Sequence, residues 1–277
     1  MFKEFFYHKM HSVRLRSALE VAKTRPAQKS DNPFPNIIID NFFPEDFYQS
    51  LVKEFQSVLN RGLSEKTNIH QFSRFPHYDA YSFTPQPLGG TPSDIFYTPA
   101  WLDFICSFFP NVNRSADTNA VFHYHKVGSQ NGWPHCDFSW GAFKNDPLSN
   151  GVNAWYHQGP HTTDPPAEPG FFHSIRSVAV LYYINNKPWH EGDGGETGLY
   201  AGKDLGSLVT KVAPINNRLL LFEVSPDSYH SFLSNVANER NSVVQWAFEK
   251  PEDSFKKYDR EKIGSWSKHK ESASHRQ

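Results

Sequence analysis

Between Ser177 and Glu249 the chain reads as a run of short segments: SVAVLYYIN (177–185), ETGLY (196–200), SLVTKVA (207–213), RLLLFEV (218–224) and SVVQWAFE (242–249). Each is rich in β-branched and aromatic residues, and Gly, Pro or Asn separates it from the next. None is long enough to be an amphipathic helix spanning a core. An earlier segment, AVFHYHKV (120–127), alternates. Many short strands at close spacing restrict the fold to a sandwich or jelly roll, mainly β.

Helical pattern is confined to the N-terminal third. Phe43, Phe47, Leu51, Phe55 and Leu59 recur every four residues behind Pro44, Glu45 and Asp46, which predicts an amphipathic helix over 44–60. A second short helix is expected near 99–108. Residues 61–99 otherwise show no period and read as loop. KSDNPFPN (29–36) reads as a linker behind a mildly basic N-terminal helix. That N-terminus lacks the apolar core of a signal peptide, and Glu4 and Glu20 weaken an organellar transit reading. The stretch 138–175, full of Pro, Gly, Trp and His, reads as a long loop. Its Trp140, Phe143, Trp155, Tyr156, His157 and His161 either form a lid that excludes water or pin an Ω-like loop to the body.

A net charge of −1 gives no electrostatic case for nucleic acid. No apolar run reaches membrane-spanning length. Two cysteines, Cys106 and Cys136, cannot build a disulfide framework, so a reducing, cytoplasmic setting is expected.

The chain contains two His-x-Asp tripeptides, at His77–Asp79 and His135–Asp137, and fourteen histidines. Composition alone supplies roughly one such tripeptide by chance, so context must separate them. The first lies in the irregular region, in RFPHYDAY, and reads as a loop pair. The second follows a strand and a Gly-containing turn. In extended chain, His135 and Asp137 share a face and Cys136 takes the other. One imidazole and one carboxylate on one face are two-thirds of the 2-His-1-carboxylate triad of non-haem Fe(II) oxygenases. His230, just past RLLLFEV, is the candidate third ligand. Arg240 follows in NERNSVVQW, where an inward guanidinium is costly unless it meets an anion. Its fork suits a carboxylate bidentately, and Ser242 shares its face.

These pieces in this order resemble the Fe(II)/2-oxoglutarate dioxygenase superfamily, in its prolyl-4-hydroxylase-like branch. The resemblance rests on HCD (135–137), LYYIN (181–185), GDGGETGLY (192–200), NRLLLFEV (217–224), His230 and RNSVVQW (240–246), and covers about 119–249. It implies a double-stranded β-helix (jelly roll, cupin-like) core with flanking helices. It implies that His135, Asp137 and His230 hold Fe(II), and that 2-oxoglutarate and O2 are co-substrates yielding succinate and CO2. By the same resemblance Arg240 binds the distal carboxylate of 2-oxoglutarate, with Tyr183 and Ser242 beside it, and Tyr124 lines the co-substrate pocket. Residues 1–34 are then an extension and linker, 35–250 the oxygenase domain and 251–277 a charged tail.

Several residues have a bland reading. His123 and His125 are expected to line the pocket or core rather than ligate. Cys136 is expected to pack away from the metal, Arg218 to form a structural ion pair, and Glu196 to be structural. Arg176 is either a structural cation or a contact for a substrate carboxylate. The preferred substrate is a small molecule, an amino acid or biosynthetic metabolite enclosed by 138–175. The alternatives are a peptidyl, prolyl-type substrate and a non-catalytic jelly-roll binding protein. A homodimer built through the N-terminal region is left open.

Overall fold

The computed structural model describes residues 2–75, 78–154 and 169–264. Its first third alternates helices with short strands: α1 (Phe2–Ala22), β1 (Gln28–Ser30), β2 (Asn36–Ile39), α2 (Glu45–Leu59), β3 (Leu63–Ser64), β4 (Phe72–Arg74), β5 (Tyr81–Phe83) and α3 (Pro99–Cys106). Strands then take over: β6 (Arg114–His125), β7 (Trp140–Lys144), β8 (Asn153–Ala154), β9 (Phe171–Tyr183), β10 (Thr197–Tyr200), β11 (Leu208–Val212), β12 (Leu219–Glu223), β13 (Tyr229–Phe232) and β14 (Arg240–Glu249), before the short α4 (Pro251–Ser254).

The main sheet runs β1-β2-β12-β9-β14-β6-β5-β4-β3, with β7 on β9 and β8 on β6; a smaller antiparallel sheet runs β11-β10-β13. Alternation assigns the two faces of the main sheet. On β9, Val178, Val180 and Tyr182 join one core, while Ala179, Leu181 and Tyr183 join the other; on β12, Leu219 and Leu221 divide in the same way from Leu220 and Phe222. The first core lies under the helices. Leu15, Ala18, Leu19 and Ala22 of α1 enter it together with Phe47, Leu51, Val52, Phe55 and Val58 of α2. The second core lies between the sheets, where Leu199 and Val212 of the small sheet meet Tyr183, Leu220 and Phe222. This is the double-stranded β-helix, mainly β with flanking helices.

The helix predicted over 44–60 spans Glu45–Leu59, with Pro44 at its N-cap. The one expected near 99–108 spans Pro99–Cys106, with the Thr98 side chain capping the Trp101 N–H. Two expected loops carry strands. In 61–99, β3, β4 and β5 prolong the main sheet past β6. Within 138–175, residues Trp140–Lys144 pair in register with Phe171–Ile175 of β9. Trp140 and Phe143 are therefore buried sheet residues; Trp155, Tyr156, His157 and His161 lie outside the described residues.

Gly194, in the expected tight turn, has φ +77, and a Cβ there would stand 2.1 Å from the Ser234 carbonyl oxygen. That close approach seats the 192–195 turn against Asn235, just before β14.

Candidate metal centre

His135 and His230 face each other across an antiparallel bridge. The His135 N–H donates to the His230 carbonyl at 3.0 Å, and the His230 N–H returns to the His135 carbonyl at 2.9 Å. The chain after the β6 turn is thereby stitched to β13 at the ligand positions themselves. The His135 Nδ1 lies 2.9 Å from the Trp133 carbonyl oxygen, and the His230 Nδ1 lies 3.1 Å from that of Ser228. A carbonyl oxygen only accepts, so each ring directs an Nδ1–H at its carbonyl and turns its other nitrogen, Nε2, the other way. Both Nε2 atoms lie toward Asp137: His230 Nε2 is 3.3 Å from Asp137 Oδ2, and His135 Nε2 is 3.9 Å from Oδ1. One ligand atom from each of the three residues lies within 4.8 Å of the others. Two imidazole nitrogens and one carboxylate, preset by second-sphere carbonyls, suit a non-haem iron with open coordination positions.

Asp137 is buried. Burial opposes its ionisation, but the neighbouring His230, Arg176 and His135 outweigh that and hold its carboxyl well below the usual carboxylate range. Trp246 donates its indole N–H to Oδ2 at 2.7 Å, and Arg176 reaches Oδ1 at 3.3 Å while lying 4.0 Å over the Trp246 ring. Of the two readings of Arg176, the structure carries the structural one: it braces the ligand carboxylate. Such outer-sphere bonds fix ligand orientation. Trp246→Phe is expected to lower iron affinity or turnover about 10- to 100-fold, read by metal titration, with the fold unchanged by circular dichroism.

A second polar group lies on the same interior face. Register pairs Arg240 and Ser242 of β14 with His125 and His123 of β6, and Ser242 with Tyr183 of β9. Arg240 is 3% exposed. Its Nη1 donates to Ser242 Oγ at 2.9 Å and its Nη2 to Thr197 Oγ1 at 3.2 Å, while Thr197 Oγ1 is 2.7 Å from the Tyr183 hydroxyl. The rings of Tyr183 and Phe232 flank the guanidinium at 5.2 and 5.7 Å. Its Nε has no partner, and among the described residues no carboxylate pairs with it. A buried guanidinium held only by hydroxyls and rings has the chemistry to suit an anion. The residues present therefore fit both iron and a dicarboxylate co-substrate.

Tyr124 is not brought to this face. It packs with the helical core, its hydroxyl 3.4 Å from Glu239 Oε2. Alternation places its neighbours His123 and His125 inside instead. Burial, then Arg240, lowers the pKa of His123 to about 3, so that ring is neutral. The expectation that Tyr124 lines the pocket is thus corrected by strand parity. Cys136 turns out of the metal cluster and packs against the inter-sheet core. Arg218 makes its ion pair with Asp40, at 2.6 and 3.0 Å. Glu196 is buried beside Thr197, away from the cluster of ligands.

Thr197 and Trp246 touch the site residues but were given no role from the motifs, and Tyr78 lies nearby. Trp246 could have been found, since it stands six residues after Arg240 on the same strand face. Tyr78 sits inside the discounted His-x-Asp tripeptide, whose His77 lies outside the described residues. Its ring meets those of His125 and Trp133 edge-on, at centroid distances of 5.7 and 6.0 Å.

Comparison with known proteins agrees with this geometry. Residues 122–248 match the family model described as 2OG-Fe(II) oxygenase superfamily. No curated protein matches the chain. Among solved structures, a Pseudomonas putida prolyl-4-hydroxylase is similar, with a TM-score of 0.52 and 15% identity over 85% of this chain and 99% of that one. A Trichoplax adhaerens prolyl hydroxylase, in complex with a hypoxia inducible factor oxygen degradation domain peptide fragment, gives 0.50 and 17% over 93% and 97%. At these identities the likeness is one of fold.

Proposed function

Because residues 122–248 place the chain in the 2OG-Fe(II) oxygenase superfamily, with His135, Asp137 and His230 as its facial triad, we propose that it hydroxylates a C–H bond of a peptidyl substrate, with prolyl residues the first to test. The reaction type rests on one observation above the rest. Three metal-ligand atoms converge beside a buried guanidinium that has no acidic partner among the described residues. When bound, iron and 2-oxoglutarate supply the activation of O2, with succinate and CO2 as products. The chain's own part is to hold and shield. His135 and His230 present Nε2 atoms fixed by their carbonyl partners. Asp137 is kept ionised and oriented by Trp246 and Arg176. Arg240, Ser242, Thr197 and Tyr183 form a cationic, hydroxyl-lined end that fits the distal carboxylate and sets the co-substrate's direction. Burial of this end keeps water from competing for the same donors.

The peptidyl reading draws support from the similar folds, one of them a complex with a peptide. It also draws on the described part of 138–175. A closed lid was the reason to expect a small molecule, and Trp140 and Phe143 are spent in the sheet. Purified protein with Fe(II) and 2-oxoglutarate should form succinate faster when proline-containing peptides are added, and the peptide should gain the mass of one oxygen atom. Succinate formation that responds to amino acids or other metabolites but to no peptide would return the small-molecule reading.

A further inference from the structure

We propose that Tyr78 is a binding residue of the site, donating its hydroxyl proton to the carboxylate that Arg240 holds. This rests on the co-substrate being 2-oxoglutarate, and it gives the first His-x-Asp segment a function that its sequence context hides.

Three placements point to it. First, the segment is tied into the site at several points. The Asp79 carboxylate pairs with Arg74 at 2.9 Å and accepts the Gln130 N–H at 2.9 Å. The Asp79 carbonyl oxygen is 3.1 Å from His125 Nδ1. These bonds hold the segment against β6 and the turn that leads to His135. Second, Gly132 makes room for the ring. A Cβ on Gly132 would come within 3.1 Å of both the Tyr78 Cε2 and its hydroxyl oxygen. Third, the hydroxyl stands at the Arg240 end. Its oxygen takes a backbone hydrogen bond from Phe232, whose ring flanks Arg240 and stacks on His125 at 3.9 Å. On β13, His230 and Phe232 share one face, roughly 6.6 Å apart along the strand. That strand therefore runs from the metal end to the anion end, and Tyr78 touches it at the latter.

The chemistry matches the placement. Burial, opposed by Arg240 and reinforced by Asp137, moves the Tyr78 hydroxyl up to about 12, so it keeps its proton at neutral pH. The Phe232 amide uses the oxygen as acceptor, and no described residue accepts the proton. The neighbouring imidazole is fixed the other way: His125 spends its proton on the Asp79 carbonyl, leaving a buried Nε2 without a partner. His125 thus offers a carboxylate no hydrogen bond, whereas Tyr78 offers one. Together with Arg240 and the hydroxyl cluster it completes a donor set around one anion.

The test is equilibrium binding without O2. Wild type and Tyr78→Phe are loaded with Fe(II) and titrated with 2-oxoglutarate and, separately, with 2-oxovalerate, which has a methyl group in place of the distal carboxylate. The visible charge-transfer band reports both ligands. Tyr78→Phe should weaken 2-oxoglutarate about tenfold or more and leave 2-oxovalerate and iron affinity unchanged. Gly132→Ala, which crowds the ring, should shift 2-oxoglutarate in the same direction by less. Equal 2-oxoglutarate affinity in wild type and Tyr78→Phe overturns the assignment while sparing the oxygenase reading. Equal weakening of both ligands overturns it too, in favour of a purely structural loop. A wild type that binds iron but shows no band with 2-oxoglutarate overturns both readings.

Discussion

Replacing Arg240 with Met should weaken 2-oxoglutarate binding by more than an order of magnitude and, in the same protein, raise the melting temperature of the ligand-free form. The two effects share one cause. Arg240 is almost wholly buried, with an unpartnered Nε and no acidic partner among the described residues. Two hydroxyls and two ring faces return only part of what the guanidinium loses on leaving water. An apolar side chain of similar length removes that burden, and substitutions of this kind often stabilise by about 1–4 kcal/mol. The ligand experiences the reverse. Its distal carboxylate would enter a pocket with no counter-charge, and truncating one partner of a buried charge pair costs about 2–5 kcal/mol. That corresponds to a weakening of roughly 30- to 4,000-fold. Differential scanning calorimetry of the apoprotein and anaerobic ligand titration read the two arms. A variant that loses ligand and stability together would mean that Arg240 holds the fold rather than the anion.

Asp137→Ala should move stability in the opposite direction. Asp137 is a buried charge that already has its partners: Trp246 at 2.7 Å, Arg176 at 3.3 Å and the two histidines. Its removal takes one of three metal-ligand residues and strips a buried cation of its carboxylate. Outer-sphere partners alone are worth about 10- to 100-fold in metal affinity, so loss of a direct ligand should exceed a hundredfold. Breaking a buried ion pair costs about 3–5 kcal/mol, so the apoprotein should also unfold earlier in urea. Asp137→Asn separates the two losses. It keeps an acceptor for Trp246 but removes the charge, and it should recover part of the stability and little of the iron affinity. Full iron retention in Asp137→Ala would remove this carboxylate from the metal site.

The contrast between Arg240 and Asp137 also shows what the sequence could and could not reveal. Both residues were legible, because a ligand motif is local and an inward Arg on a strand demands an anion. β9, β12 and β14 were legible as runs of β-branched and aromatic residues bounded by Gly, Pro or Asn, as was the four-residue spacing of α2. Pairing register was not. Whether Tyr124 or its neighbours His123 and His125 face the cavity depends on Arg240 standing opposite His125, a fact of two strands and not of one. The strands β3, β4 and β5 are two or three residues long, too short to show a period. β7 was hidden inside a stretch whose Pro and Gly content reads as loop. Tyr78 was hidden most deeply. Its tripeptide duplicates the metal motif, but it acts through the middle residue, and only the folded chain brings that residue against Gly132 and Phe232.

The bridge between His135 and His230 has a consequence for how such a protein holds its iron. The ligand residues are also the two halves of a backbone seam, each amide bonded to the other's carbonyl. Opening that seam would draw the two imidazole ligands apart, so it cannot proceed while a bound ion holds both. The ion works as a rivet: its occupancy stabilises the closed seam by mass action, and strand pairing holds the imidazoles in place before any ion arrives. Cellular iron supply thereby becomes a term in the folding equilibrium of the jelly roll's open end as well as in its chemistry.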